Sequence, residues 1–183
     1  LDILLDAIAR ARTDRPLRLV IAGSWRFVED RNRYEELIAA AREHHSVDVE
    51  DRIPEREETA ALFCAADALV QPYRSASASA PGMIAMRFGT PIIASNTGAV
   101  PQMLADDLSK WLVPPEDRPA LTEAIEQLGR LCPPERETIR DAIRARGESE
   151  FGWQSIAAKT NAIYEQWDTW NRKHDRDIHA QHA

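Results

Sequence analysis

The chain has 183 residues, of which 44% are hydrophobic and 29% are charged, and its formal net charge is −7. This composition is ordinary for a globular domain that is large enough to bury a core, and the acidic balance without any basic run argues against general binding to nucleic acid. No stretch approaches the roughly 18 to 20 apolar residues that a membrane-spanning helix needs, and no signal peptide is recognisable at the start of the sequence.

The first third of the chain alternates between helical and extended patterns. Apolar residues at helical spacing predict a helix over 1–12. Because a strand normally precedes such a helix, we expect an N-terminal portion of the protein to be absent from this sequence. After this helix we predict a buried strand at 17–22, an amphipathic helix at 33–43, a short strand at 47–49 and a helix that opens near Pro54. The near-continuous apolar run at 17–22 is typical of a parallel strand that is covered on both faces.

The alternation continues through the rest of the chain. Strands are predicted at 68–70, 91–94 and 111–113, and helices at 81–88, after Pro101, and at 117–131, 134–147 and 153–170. This order predicts an α/β fold with a doubly wound parallel sheet of the Rossmann-like type. We expect one domain over 1–172, followed by a polar, disordered tail over 173–183.

The most informative segment runs from 70 to 95, where a strand, a loop of small residues, a short helix and a second strand follow one another. Pro81 stands in the first turn of this helix and Gly89 at its end. The first N–H groups of a helix are unpaired and carry a partial positive charge. A loop of small residues that opens onto a helix N-terminus between parallel strands is therefore typical of a phosphate site. The segment predicts an anionic ligand, and a nucleotide in particular.

Candidate binding residues lie in and around this loop. Ser75, Ser77 and Ser79 offer hydroxyl and backbone N–H groups to a diphosphate, and the helix N-terminus around Gly82 would complete their site. The alternative is a solvated loop in which Ser79 only caps the helix. Arg74 has the bidentate guanidinium that suits a phosphate or a sugar, so we expect it to act in catalysis; a surface ion pair is the alternative.

Three motifs carry a resemblance to a known family. AADALVQPY at 65–73, FGTPIIAS at 88–95 and LVPPEDRPAL at 112–121 are similar to the C-terminal, donor-binding domain of family-4-type glycosyltransferases, which the chain resembles over about residues 1–130. The resemblance implies one half of a GT-B fold and retaining transfer of a hexosyl or deoxyhexosyl group from a nucleotide sugar. It also implies that no metal or other cofactor is needed, and that the isolated half is inactive because the cleft needs both domains.

Further site residues follow from the resemblance. Arg52 and Ile53 match the loop whose backbone reads the edge of the nucleobase, although Ile53 would be equally at home in a core. Thr97 and Gly98 match the loop that faces the donor sugar. Gly23 ends a strand where close approach of a ligand to the backbone is useful, and a plain turn is the alternative.

The sequence departs from the family pattern at its best-known motif. Most members carry a Glu-x7-Glu pair, whose two positions fall here on Ala76 and Ile84. One branch of the family has a PYRSATQSG-type loop instead, which 72–80 resembles except at Ala80. Arg26 is the nearest basic residue after the first visible strand that could serve the donor phosphates. These departures favour, as the main alternative, a non-catalytic glycosyltransferase-like binding module.

The resemblance also implies partners and a location. The expected donor is a UDP-, GDP- or dTDP-sugar, and the expected acceptor is a glycan or lipid-linked sugar held by the absent N-terminal domain, as in polysaccharide biosynthesis. Cys64 and Cys132 have neither metal nor redox spacing, so we expect reduced and packed thiols in the cytoplasm, with peripheral association at the inner face of the membrane left open. A GT-B-like epimerase or phosphorylase is a weaker third alternative. A phosphorylase would need a cofactor-bearing lysine, for which Lys110 and Lys159 lack the context, and an epimerase would need carboxylates at the cleft, which the Ser-rich loop does not offer.

Overall fold

Helices and strands alternate along the chain in the computed structural model, which describes residues 1–25 and 28–180. The strands are β1 (Arg18–Ala22), β2 (Ser46–Glu50), β3 (Leu69–Gln71), β4 (Ile92–Ser95) and β5 (Leu112–Val113). The helices are α1 (Asp2–Arg10), α2 (Val28–Arg42), α3 (Arg56–Ala65), α4 (Ala80–Phe88), α5 (Val100–Met103), α6 (Arg118–Arg130), α7 (Pro133–Phe151) and α8 (Trp153–Ala180). The predicted order of elements is confirmed throughout this part of the chain.

All of the strand pairs in the described residues are parallel, as the sequence predicted. β1 pairs with β2, with Arg18 opposite Ser46, and β3, β4 and β5 form a second ladder in that spatial order. The five strands thus lie in two small sheets, and no ladder joins β1 to β3. In the usual doubly wound order, the strand ahead of the first helix lies in the middle of the sheet. The strand expected before α1 stays a prediction.

The best-buried strand is β4, whose four residues are each at most 1% exposed. It lies between β3 and β5, so it makes ladder hydrogen bonds along both edges. α1 connects this three-stranded sheet to the two-stranded one, because it packs against both α2 and α6. Its apolar face, which includes Ile3, Leu5 and Ile8, belongs to the same core cluster as β4.

Several boundaries differ from the prediction, and the last helix passes the predicted end of the domain. Helix α2 begins at Val28 instead of 33. A 3-10 helix, Asp106–Trp111, precedes β5, so the predicted strand at 111–113 is shortened to two residues because Trp111 is taken up by that helix. Helix α7 reaches Phe151 instead of 147. Helix α8 continues to Ala180, past the predicted domain end at 172; the disorder expected for 173–183 stays a prediction.

Cys64 and Cys132 are both exposed, so the prediction that they are packed is wrong. Cys64 lies on α3, none of whose residues is buried, and Cys132 lies at the start of α7.

Among the residues that the structure describes, no helix is both long enough and apolar enough to cross a membrane.

Candidate functional site

Two loops contact each other at the carboxyl ends of β3 and β4. The Ser/Ala loop (residues 72–79) joins β3 to α4, and a shorter loop joins β4 to α5. The Ala99 N–H of the shorter loop donates a hydrogen bond to the carbonyl oxygen of Ser77 (3.1 Å). Gly98 has a φ of 56°, and a Cβ at this position would overlap the carbonyl oxygen of Ala76. The packing of the two loops therefore requires glycine at 98.

The Ser/Ala loop presents a run of unpaired backbone donors. The N–H groups of residues 74–79 find no acceptor among the described residues of the protein. The side chains of Ser75 and Ser77 are exposed on the same loop. Consecutive unpaired N–H groups with hydroxyls beside them are suited to binding an anion. The loop therefore has the donors that the sequence predicted for a diphosphate.

The first turn of α4 contributes fewer donors than the sequence suggested. Gly82 N–H donates to the hydroxyl oxygen of Ser79 (3.0 Å), and Met83 N–H donates to the Ser79 carbonyl oxygen (3.1 Å). Pro81 has no N–H, so Ala80 supplies the remaining donor of this turn. The Ser79 hydroxyl thus has the capping role that was its alternative, and it is buried. A contact between this hydroxyl and a ligand stays a prediction.

Arg74 is engaged by two carboxylates from distant parts of the chain. Its Nη1 and Nη2 donate to the two carboxylate oxygens of Asp2 (3.1 and 2.7 Å), and its Nε donates to Glu116 (2.8 Å). The hydrogen bonds from Arg74 hold the pKa of Asp2 at about 2, below its usual 3.8. The ion pair that was the alternative for Arg74 is therefore present, and its catalytic role stays a prediction.

The candidates expected to lie near the nucleobase form a second group, at the carboxyl ends of β1 and β2. Gly23 N–H donates to the carbonyl oxygen of Glu50 (3.1 Å), and Arg52 forms ion pairs with Glu50 (3.1 Å) and Glu58 (2.6 Å). Arg52 holds the pKa of Glu58 at about 2 by a side-chain hydrogen bond. Ile53 is 78% exposed, so it is not a core residue. Predicted Arg26 lies outside the described residues.

The structure thus divides the predicted site residues between two places. Thr97 and Gly98 lie beside the Ser/Ala loop, where Thr97 N–H donates to the carbonyl oxygen of Ser95 (2.8 Å). Gly23, Arg52 and Ile53 lie beyond the other sheet. Among the described residues, no hydrogen bond or ion pair links the two groups directly.

Sequence reasoning missed three residues that build the first group. Asp2 and Glu116 hold Arg74, and the Gln71 amide contacts the Ser79 hydroxyl. A signal existed for Gln71, since a polar residue closes an otherwise apolar strand. The pairing of Asp2 with Arg74 had no local signal because the residues are separated by 72 positions.

A cavity of about 680 Å³ lies near the second group. Its lining includes Trp25 and Asp51 from the strand ends and Ile38 and Arg42 from α2. The indole Nε1 of Trp25 is buried without a hydrogen-bond partner. No group of three potential metal ligands lies together within residues 1–25 and 28–180.

Fold and loop positions together define a class of protein. Parallel strands alternate with helices, and the candidate residues lie in the loops beyond the carboxyl ends of the strands, as in doubly wound nucleotide-binding domains. This is a Rossmann-like domain that corresponds to one half of a GT-B fold.

Comparison with known proteins gives the family. The family model described as "Glycosyl transferases group 1" matches residues 1–130. The MMP alpha-(1->4)-mannosyltransferase of Mycolicibacterium hassiacum is 37% identical over 165 residues, which are 88% of this chain and 38% of that protein. The chain belongs to the group 1 glycosyltransferase family.

Solved structures agree on the fold. Sucrose-phosphate synthase from Thermosynechococcus elongatus superposes with a TM-score of 0.72 at 27% identity, over 92% of this chain and 42% of that one. Anabaena HepE, solved in complex with UDP-glucose, superposes with a TM-score of 0.70 at 18% identity, over 91% of this chain and 44% of that one. The chain thus spans about two fifths of the length of these relatives.

Proposed function

We propose that this domain binds the nucleotide-diphosphate sugar donor of a retaining glycosyltransferase. The observation that carries the proposal is the Ser/Ala loop, in which the N–H groups of 74–79 have no acceptor among the described residues and two serine hydroxyls are exposed. A diphosphate supplies the negatively charged oxygens that such donors bind. Family membership supports the proposal, since transfer of a glycosyl group needs a donor.

In this proposal the domain acts by electrostatic stabilisation. As the glycosidic bond of the donor breaks, negative charge grows on the diphosphate leaving group. Loop N–H groups and the positive end of α4 would stabilise that charge. No covalent nucleophile is required of this half, and neither a metal nor another cofactor is part of the proposal.

Arg74 would bind the diphosphate only after its guanidinium exchanges Asp2 and Glu116 for the phosphate oxygens. Its guanidinium lies against Asp2 and Glu116. A diphosphate at the Ser/Ala loop would compete with these carboxylates for the same N–H donors. We therefore assign Arg74 the role of neutralising the leaving group in the donor complex.

The donor and acceptor are proposed by class. UDP-, GDP- and dTDP-sugars all carry the diphosphate, and the UDP-glucose bound by HepE supports a nucleotide sugar. Hexosyl or deoxyhexosyl transfer to a glycan or lipid-linked acceptor, in the cytoplasm or at the inner face of the membrane, belongs to the full-length protein. We assign donor binding to residues 1–172.

The test is a calorimetric titration of the chain with UDP, GDP and dTDP at low salt. We expect saturable binding of one of them. Replacing both Ser75 and Ser77 by alanine should weaken it about threefold to tenfold, because two hydroxyl donors are lost. A matched control replaces Ser109 and Ser149, which are exposed elsewhere, and should leave the affinity unchanged. Equal affinities in the two double variants would reject the hydroxyls of Ser75 and Ser77 as diphosphate ligands, and the absence of saturable binding by the wild type would reject the proposed function.

A non-catalytic binding module is the second candidate. The observation in its favour is that Ala76 and Ile84 stand where most relatives have the glutamate pair, and neither side chain can form a hydrogen bond. The two candidate functions differ in whether the full-length protein catalyses glycosyl transfer. Glycosyl transfer by the full-length protein from any nucleotide sugar would reject the second one.

A further inference from the structure

Gln71 is a buried polar residue at the end of an apolar strand. It is only 3% exposed, whereas glutamine is usually found at protein surfaces. Burial of an amide is unfavourable unless its groups are hydrogen-bonded. The partners of this side chain therefore indicate what it does.

Those partners are the two ends of the Ser/Ala loop. Nε2 of Gln71 donates to the hydroxyl oxygen of Tyr73 (3.1 Å), at the start of the loop. Nε2 and Oε1 also lie 2.6 and 2.9 Å from the hydroxyl oxygen of Ser79, at its end. The same Ser79 oxygen accepts the hydrogen bond from Gly82 N–H. One side chain thus links the strand, both ends of the loop and the first turn of α4.

The space around this network is filled. A Cβ at Gly82 would lie 3.1 Å from both Oε1 of Gln71 and the hydroxyl oxygen of Ser79, and 2.7 Å from Cε of Met103. Gly82 therefore packs closely against both the amide and the hydroxyl, and a larger residue there would disturb the network. Fully bonded buried polar groups favour a single conformation over nearby alternatives.

We propose that Gln71 is a positioning residue for the diphosphate of the donor. It does not touch the ligand. It holds Tyr73 and Ser79 at a fixed separation, so that the loop between them keeps its N–H groups unpaired and available to an anion. This inference rests on the proposed function, because it assigns a purpose to the loop that the diphosphate would occupy.

The test compares Gln71→Leu with Thr90→Val. Thr90 is fully buried, and its hydroxyl donates to the carbonyl oxygen of Phe63 (2.6 Å). Thr90 lies just before β4, at the amino ends of the strands, whereas Gln71 lies at their carboxyl ends. Both variants lose buried hydrogen bonds, and both should unfold at a lower temperature. Gln71→Leu should also weaken nucleoside diphosphate binding about tenfold, whereas Thr90→Val should not. UDP, GDP and dTDP are the probes, measured by calorimetry below the unfolding transition.

A second variant covers the case in which Gln71→Leu does not fold. Gln71→Met keeps the length of the side chain and adds no charge, but it loses the amide hydrogen bonds to both Tyr73 and Ser79. It should weaken binding as well, while Thr90→Val binds like the wild type. Weaker binding by either Gln71 variant alone supports the proposal.

Two other outcomes separate the inference from the proposed function. If the wild type binds a diphosphate and both Gln71 variants bind it equally well, the positioning role is wrong and the proposed function stands. If the wild type binds none of the three probes, the proposed function is rejected and the positioning role with it.

Discussion

The two sheets hold their candidate residues by different means. In the three-stranded sheet, the loops are fixed by buried groups: the Gln71 amide on Ser79, and Gly98 against Ala76. In the two-stranded sheet, Arg52 is held by exposed ion pairs with Glu50 and Glu58. Exposed pairs contribute little because water screens them. We infer that the Ser/Ala loop, the proposed diphosphate site, is preorganised and that the loop around Arg52 is held less rigidly.

Helix α1 is the element that packs beside both sheets. It packs against α2 on one side and α6 on the other, and its first residues carry Asp2, which binds Arg74 and Arg118. A change at the start of α1 is therefore transmitted directly to the Ser/Ala loop. The contrast between the two sheets predicts substitution effects of different size.

The largest difference is expected in the strands. Ile93 in β4 is 1% exposed, whereas Leu19 in β1 is only partly buried. Ile93→Ala should lower the free energy of unfolding by about 3 to 5 kcal/mol, because it removes buried apolar volume and leaves a cavity. Leu19→Ala should lower it by about 1 to 2 kcal/mol. Urea unfolding of both variants measures the difference, and equal losses would contradict the contrast.

The next comparison uses two glycines with positive φ. Gly98→Ala should destabilise the fold by about 2 to 4 kcal/mol and disturb the Ser/Ala loop, because backbone strain adds to the overlap with Ala76. Gly23 has a φ of 149° but open space around a Cβ. Gly23→Ala should therefore destabilise the fold by backbone strain alone, about 1 to 2 kcal/mol. The unfolding temperatures of the two variants measure this difference. A larger decrease for Gly23→Ala would mean that the contact between Gly98 and Ala76 is unimportant for stability.

A smaller, pH-dependent effect is expected at Asp2. Its pKa is depressed to about 2 from 3.8, so its ion pair with Arg74 stabilises the fold above pH 4 and is lost as the pH falls through about 2. The stability difference between wild type and Asp2→Asn should therefore shrink between pH 4 and pH 2. Acid unfolding curves of both proteins measure it. A constant difference across this range would rule out the depressed pKa.

The smallest effect on stability is expected from Arg52→Ala. The exposed pair with Glu58 should contribute little to the unfolding midpoint. Its chemical effect should nevertheless be visible, since Arg52 holds the pKa of Glu58 at about 2. In the variant that pKa should rise toward 4.5, which an NMR titration of the Glu58 side chain detects. Arg18→Ala, which breaks the exposed pair with Asp48, is the control and should leave Glu58 unchanged.

Local pattern was enough to predict the elements and their order. Apolar periodicity identified α1 and β1, and Pro81 with Gly89 marked the limits of α4, where Gly89 adopts the left-handed conformation of a helix end. These features depend on neighbours within a few residues, so they are visible in a single sequence. Family membership was likewise readable from three motifs and was confirmed by comparison.

The tertiary structure decided which candidates share a place and what their side chains do. It paired Arg74 with Asp2 and Glu116, buried the Ser79 hydroxyl against Gln71, exposed Ile53, and separated the strands into two sheets. Each of these facts depends on contacts between residues far apart in the chain or on the choice between two competing partners. Local patterns thus predicted a Rossmann-like glycosyltransferase domain and singled out its Ser/Ala loop. The tertiary structure adds that the N–H groups of 74–79 find no acceptor among the described residues. It also places a buried amide at the ends of this loop and a glycine contact at its middle, which depend on residues that are distant in the chain or on the choice between competing partners.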